Sequence, residues 1–177
     1  MGNSGSSENN SHENKGRNAI CILQKQPNNL IYGIVKFHQC SLQHPVKIMF
    51  RLSGPANQVH AIHIHEYGDL TNGCESMGKH FNPDNTTHGS YFYRDNPRHA
   101  GDLINNLKFD QYGKFEYTYE DYSISLFDDR NIIGRSIVIH EGQDDLGRGQ
   151  DKESLISGNA GKRVTCNIIG ISETKHF

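Results

Sequence analysis

Strict alternation over short windows is the feature that most limits what this chain can fold into. Val46, Ile48, Phe50 and Leu52 are set against Lys47 and Arg51, and Phe115, Tyr117 and Tyr119 against Lys114, Glu116 and Glu120. A period of two puts all the apolar members on one face of an extended strand, whereas a helix would scatter them around its circumference. Further β-rich runs lie near 20–24, 30–37, 59–66, 103–109, 137–140 and 166–171, which brings the expected strands to eight. With no sustained helical period elsewhere, the expectation is an all-β barrel or sandwich with antiparallel connections. Two long, polar, glycine-bearing stretches, 67–100 and 141–163, separate strands, and loops of that length inside a compact domain are usually functional or disordered.

At 177 residues the chain suits one domain, expected over 18–177. Residues 1–17 are almost wholly Gly, Ser, Asn, Glu and Lys, too polar to offset ordering entropy by burial. They read as a flexible tail without the apolar centre of a secretory signal, so a cytoplasmic location follows by default. A formal charge of -2, from 18 basic and 20 acidic side chains, supplies no global field for a polyanion. That argues against nucleic acid or an anionic membrane surface as the main partner, and no apolar stretch is long enough for a membrane span. Cys21, Cys40, Cys74 and Cys166 could pair in three ways, and a reduced, buried thiol is equally the ordinary state of each in a cytosolic protein.

Histidine placement carries the chemistry. The chain has 11 histidines against 8 Phe, 8 Tyr and no Trp, so imidazole outnumbers any one aromatic type. His63 and His65 lie two apart in a strand-like window and therefore share a face, which suits a metal and equally suits two half-exposed strand histidines. His80, His88 and His99 follow in the first long stretch, with Asp102 just after it; three nitrogens with one carboxylate suit a tetrahedral zinc shell, against the alternative of scattered loop histidines. His140 ends the Ile137–Ile139 run; with His63, His65 and His80 it completes a four-imidazole set, which suits copper better than magnesium or calcium.

The segment Gln58-Val59-His60-Ala61-Ile62-His63-Ile64-His65-Glu66-Tyr67-Gly68-Asp69 resembles the copper-binding segment of copper/zinc superoxide dismutases. Gly73-Cys74, Gly78-Lys79-His80-Phe81-Asn82-Pro83, His99-Ala100-Gly101-Asp102-Leu103, Ile133-Gly134-Arg135-Ser136 and His140-Glu141 follow in that family's order. So do Asp144-Asp145-Leu146-Gly147 and Gly158-Asn159-Ala160-Gly161-Lys162-Arg163, and the likeness runs from about Ala19 to Ser172.

The resemblance implies an eight-stranded antiparallel Greek-key barrel or sandwich with two long functional loops. It implies dismutation of superoxide to dioxygen and hydrogen peroxide at a copper that cycles between Cu(II) and Cu(I). His63, His65, His80 and His140 would hold copper, and His80, His88, His99 and Asp102 would hold a structural zinc, with His80 bridging as imidazolate. Asp144 would join His63 to His88 from behind the ligands, Arg163 would guide the anion, and Cys74 and Cys166 would form a disulfide. Cys21 and Cys40 would stay free, and His60, on the opposite strand face from His63, would be structural. Ile133-Gly134 and the 168–172 terminus resemble homodimer interface segments, while any copper-loading chaperone stays unidentified.

Two departures stand out. Ile156 occupies a place where many relatives carry a lysine, which reduces the expected steering charge, and the 88–99 loop with Tyr91-Phe92-Tyr93 is longer than usual. Neither removes a ligand. A copper store without turnover is the main rival reading; a zinc hydrolase fits less well, because a closed four-ligand shell leaves no position for an activated water.

Overall fold

Each alternating window forms a strand. The computed structural model describes residues 16–27, 29–93 and 96–173, so the expected tail lies outside them apart from Gly16 and Arg17. In chain order the strands are β1 (Arg17–Leu23), β2 (Tyr32–Gln39), β3 (Val46–Ser53), β4 (Val59–His65), β5 (Thr71–Cys74), β6 (Asn106–Lys108), β7 (Lys114–Asp121), β8 (Ser136–His140), β9 (Arg163–Ile168) and β10 (Gly170–Ile171). One short helix, α1 (Ser154–Ser157), lies in the second long loop.

The strands form two sheets, in the orders β10-β1-β2-β3-β7 and β6-β4-β8-β9. This corrects the expected barrel: neither sheet is closed, and the architecture is an open two-sheet packing with crossovers between layers. Closure fails at identifiable places. β7 and β6 are the edge strands: Gly54 N–H to Gly113 O (2.9 Å) and Phe109 N–H to Gln58 O (3.0 Å) only extend the β3–β7 and β4–β6 ladders, and neither edge pairs with the other sheet. The expected single strand near 166–171 breaks at Ile169, whose N–H donates to Arg135 O (2.8 Å), so its halves enter different sheets. The run expected over 103–109 shrinks to 106–108 because Leu103 and Asn105 take positive φ, 45° and 60°, and turn the chain. Strand β5, at Thr71-Asn72-Gly73-Cys74, has no alternation to announce it.

Ala19, Cys21 and Leu23, Val35 and Phe37, and Ile48, Phe50 and Leu52 line the inner face of the first sheet. In the second sheet, Ile62 and Ile64 of β4 and Ile137 and Ile139 of β8 complete the core. Alternation then forces His63, His65, Val138 and His140 onto the outer face, yet these too are buried. The long loops lie over them. A sheet covered on both faces, by core on one side and by loops on the other, is what gives the site its dry floor.

Phe50 is fully buried, with Phe115 edge-on at 5.9 Å and Tyr119 stacked at 6.1 Å between centroids. Phe50→Ala is expected to lower unfolding free energy by about 3–5 kcal/mol in urea titration, with the metal sites unchanged in composition.

Candidate metal centre

Strand pairing assembles the first half of the site. Antiparallel β4 and β8 place His63 and His65 beside His140, and His80 docks onto the same strand through an isolated bridge to His65. Bonds from Glu66 N–H to Lys79 O (2.9 Å) and from Phe81 N–H to Ile64 O (2.8 Å) hold that bridge. Gly101 lets the loop approach: a Cβ there would stand 2.3 Å from Ile64 O.

One nitrogen of each ring is anchored, which decides what the other presents. His65 Nδ1 faces Gly78 O (3.0 Å) and His140 Nδ1 faces Gly161 O (3.0 Å). A carbonyl only accepts, so both Nδ1 atoms carry the proton and both Nε2 atoms present lone pairs. His63 Nε2 donates to Asp144 Oδ2 (2.7 Å), leaving Nδ1 bare and without a partner; His80 Nε2 is likewise buried and unpartnered. The four ligand atoms lie within 4.8 Å of one another. His65 Nε2 and His140 Nε2 are 3.4 Å apart. That matches the edge of a tetrahedron with metal–nitrogen bonds of about 2.0–2.1 Å, roughly 3.3–3.4 Å. Burial first, then the mutual repulsion of neighbouring rings, holds all four below the ordinary histidine range, His140 to about 4. Lone pairs rather than protons converge here, and that chemistry fits a nitrogen-seeking ion such as copper.

The second cluster is built around Asp102. Its Oδ1 lies 3.0 Å from His80 Nδ1, 3.0 Å from His88 Nδ1 and 3.1 Å from His99 Nδ1. Its Oδ2 accepts from the backbone N–H groups of Gly89 (3.0 Å) and His99 (2.8 Å), which fixes the carboxylate's orientation. Burial pushes Asp102 upward, but the three imidazoles outweigh it and hold the carboxyl well below its usual range. Burial lowers His88, yet Asp102 and Asp144 prevail and push it up to about 9. A ring that keeps a proton so firmly between two carboxylates marks a place where a cation belongs. Three nitrogens and one oxygen at tetrahedral spacing fit zinc.

Asp144 ties the clusters together. Its Oδ2 accepts from His63 Nε2 and its Oδ1 from His88 Nε2 (2.9 Å). Asn105 Nδ2 also donates to Oδ2 (3.0 Å), and Asn106 pairs with the Asp144 backbone on both sides. Nothing in the sequence singled out these asparagines, which lie inside the β-rich run expected over 103–109. Gly158 was legible within its motif: at φ 66° its missing Cβ leaves room where one would meet Asp144 Oδ1 at 2.4 Å and His88 Nε2 at 2.5 Å.

Arg163, on β9, is fixed by carbonyls of the 74–78 turn. Nη1 donates to Cys74 O (2.6 Å) and Nη2 to Gly78 O (2.5 Å), the same carbonyl that anchors His65. Cys74 is joined to Cys166 with Cα atoms 5.7 Å apart, so a covalent link and an arginine clamp hold one turn against one strand. Cys21 and Cys40 are free. His60 stands outside both clusters, bonded through Nδ1 to His140 O (2.9 Å). Arg148 turns away to Tyr93, donating to its hydroxyl (2.9 Å), while Lys152 and Lys162 are exposed. Ile156 lines a cleft that also contains Lys79, His80 and His99.

The family model described as copper/zinc superoxide dismutase matches residues 31–169. "Superoxide dismutase [Cu-Zn]" of Saccharomyces cerevisiae is 45% identical over 155 residues, covering 87% of this chain and 97% of the relative. The protein of the same name from Schizosaccharomyces pombe is 48% identical over 155 residues, with the same shares of each chain covered. "Superoxide dismutase [Cu-Zn] A" of Xenopus laevis is 45% identical over 152 residues, 86% of this chain and 96% of the relative.

Asp144→Asn keeps the shape but removes one acceptor charge, so chelator competition should show metal affinity lower by about 10–100-fold. In the metal-free protein, His63, His65, His80 and His140 gain protons on unfolding, so their stability contribution is lost as pH falls below about 6.5. His88 works in the opposite sense: its contribution is full below the unfolded value and disappears as pH rises through about 9. Denaturant midpoints of metal-free protein should therefore peak near pH 6.5, about where unfolded histidine titrates; a monotonic rise to pH 9 would contradict the His88 geometry.

Proposed function

We propose the following division of labour for this chain, which belongs to the copper/zinc superoxide dismutase family. His63, His65, His80 and His140 hold copper; His80, His88, His99 and Asp102 hold zinc; His80 is shared by the two. The activity is dismutation of superoxide to dioxygen and hydrogen peroxide. Once bound, copper would supply the one-electron couple that the two half-reactions need, whereas zinc would have no accessible redox change. The observation that carries the assignment is the set of four imidazole nitrogens that converge as lone pairs, two of them buried without any partner.

The chain's own groups do the rest. His80 faces one cluster through Nδ1 and the other through Nε2, so Nε2 is the atom that takes up a proton in one half-reaction and returns it in the other. The returned proton goes to the departing peroxide, and solvent supplies the second. Asp144 accepts from Nε2 of both His63 and His88, which keeps the proton there and leaves their Nδ1 atoms to the ions. Arg163 offers its remaining N–H donors to a small oxyanion near His140. Steering then depends on a local field, since the whole chain is slightly acidic. Superoxide dismutases are themselves a known example of such steering. In this chain the lysine often found at position 156 is absent, while Lys79 stands on the same cleft.

A homodimer is proposed through Ile133-Gly134 and the 168–172 terminus. Ile171 is 80% exposed beside Ile133, Asn131 and Ser172, an apolar edge suited to a second copy. A cytoplasmic location is proposed with it: Cys21 and Cys40 are unpaired with other cysteines, and the Cys74–Cys166 link is the exception to the rule for reducing compartments. No helix among the described residues is long and apolar enough to cross a membrane.

Metal analysis paired with superoxide-consumption assays tests the assignment. His65→Ala should lose copper and turnover but keep zinc. Arg163→Ala should keep both ions and lose at least about tenfold in kcat/KM, with a weaker salt dependence. A parent protein that binds copper without turnover would favour storage instead. Sedimentation of the metal-loaded protein at low concentration should give a dimer; a persistent 20 kDa species would rule against it.

A further inference from the structure

We propose that Cys40 is a peroxide-reactive thiol, with His38 as its base and Asn18 as the group that positions His38. Asn18 on β1 and His38 on β2 are paired directly across the antiparallel ladder, so their side chains share a face. Cys40 follows His38 by two residues and leaves the end of the strand on that same side. His38 Nδ1 lies 2.8 Å from Asn18 Oδ1, and His38 Nε2 lies 3.2 Å from Cys40 Sγ. The amide oxygen only accepts, so Nδ1 carries the ring proton and Nε2 turns a lone pair to the thiol. This is the order of parts that activates a cysteine nucleophile: sulfur, base, and a polar group that fixes the base.

Accessibility is graded in the useful direction. Asn18 is buried, His38 is partly covered and Cys40 is exposed. Gly16 closes over the pair with bare backbone; a Cβ there would stand 3.1 Å from both His38 Cε1 and Cys40 Cα. The other free thiol is the contrast. Cys21 is fully buried, donates to Asn167 O (3.3 Å) and is pushed up to about 12 by burial, so it has neither access nor a base.

The co-reactant is hydrogen peroxide, the product of dismutation, and the inference rests on that reading for its supply. Sγ attacks one peroxide oxygen, forming S–O as O–O breaks. Sulfur loses two electrons, and peroxide is reduced. His38 Nε2 takes the thiol proton and delivers it to the departing hydroxide, so R–SH and H2O2 become R–SOH and H2O. The sulfenic acid is reversible and can be trapped.

Metal-loaded full-length protein is treated with hydrogen peroxide in the presence of dimedone, and the adduct is located by peptide mass mapping. The adduct should form at Cys40 and be absent at Cys21. An unassisted thiol is only a few per cent ionised at neutral pH, so His38→Gln should slow labelling by about tenfold or more. Asn18→Ala should slow it too, and Asn18→Asp, which keeps the acceptor oxygen, should restore it. Melting temperatures of the variants are read alongside, and superoxide consumption is followed on the same samples. A failure of dismutation therefore registers separately from a failure at Cys40. Absence of the Cys40 adduct, an equal rate in parent and His38→Gln, or no difference between Asn18→Ala and Asn18→Asp would overturn the proposal.

Discussion

Two carboxylates, Asp102 and Asp144, are buried at 0% exposure with imidazole rings and N–H donors as their partners. Burying a carboxylate costs several kcal/mol unless its charge is answered, and here no lysine or arginine answers it. The rings are therefore held in place by a requirement as much as by packing. His63, Asp144, His88, Asp102 and His80 form a continuous chain of hydrogen bonds, and the His80 and His63 rings lie 3.9 Å apart at its ends. Displacing either carboxylate would tilt rings in both clusters. The two metal sites are one electrostatic unit, and the unit is complete only with cations in it.

The fold serves that unit by making one sheet bury both faces. Ile62, Ile64, Ile137 and Ile139 hold β4 and β8 against the core, and the same pleat sends His63, His65 and His140 outward under the loops. The loops are pinned rather than draped. Gly78 O accepts from both His65 and Arg163, and the Cys74–Cys166 link holds the same turn to β9. On the chain-entropy view a link across a separation of 92 residues stabilises by roughly 4–5 kcal/mol. Its more specific effect is positional: it keeps the arginine beside the histidines.

Much of this was legible in the sequence, and for physical reasons. Period-two alternation named β3 and β7, and the His63-Ile64-His65 spacing put two rings on one face before any geometry was known. The convergence of His80, His88, His99 and Asp102 came from spacing and residue type, and the pairing of Cys74 with Cys166 from family likeness alone. What the sequence hid is whatever depends on backbone turns. Closure of the sheets was misjudged because nothing in residues 166–171 shows that Ile169 hydrogen-bonds out of line. Asn105 and Asn106 were missed because their work lies in where their amides point, across 39 and 38 residues to Asp144. The Asn18, His38 and Cys40 arrangement was hidden too, since it needs the register of β1 against β2.

The central claim is that six imidazoles and one aspartate seat two different ions side by side. Anomalous diffraction from crystals of protein loaded with both metals, collected at the copper and zinc edges, tests it most directly. Two separate peaks are expected, copper among His63 Nδ1, His65 Nε2, His80 Nε2 and His140 Nε2, and zinc among the Nδ1 atoms of His80, His88 and His99 with Asp102 Oδ1. A single peak, or either metal bound away from these atoms, would contradict it.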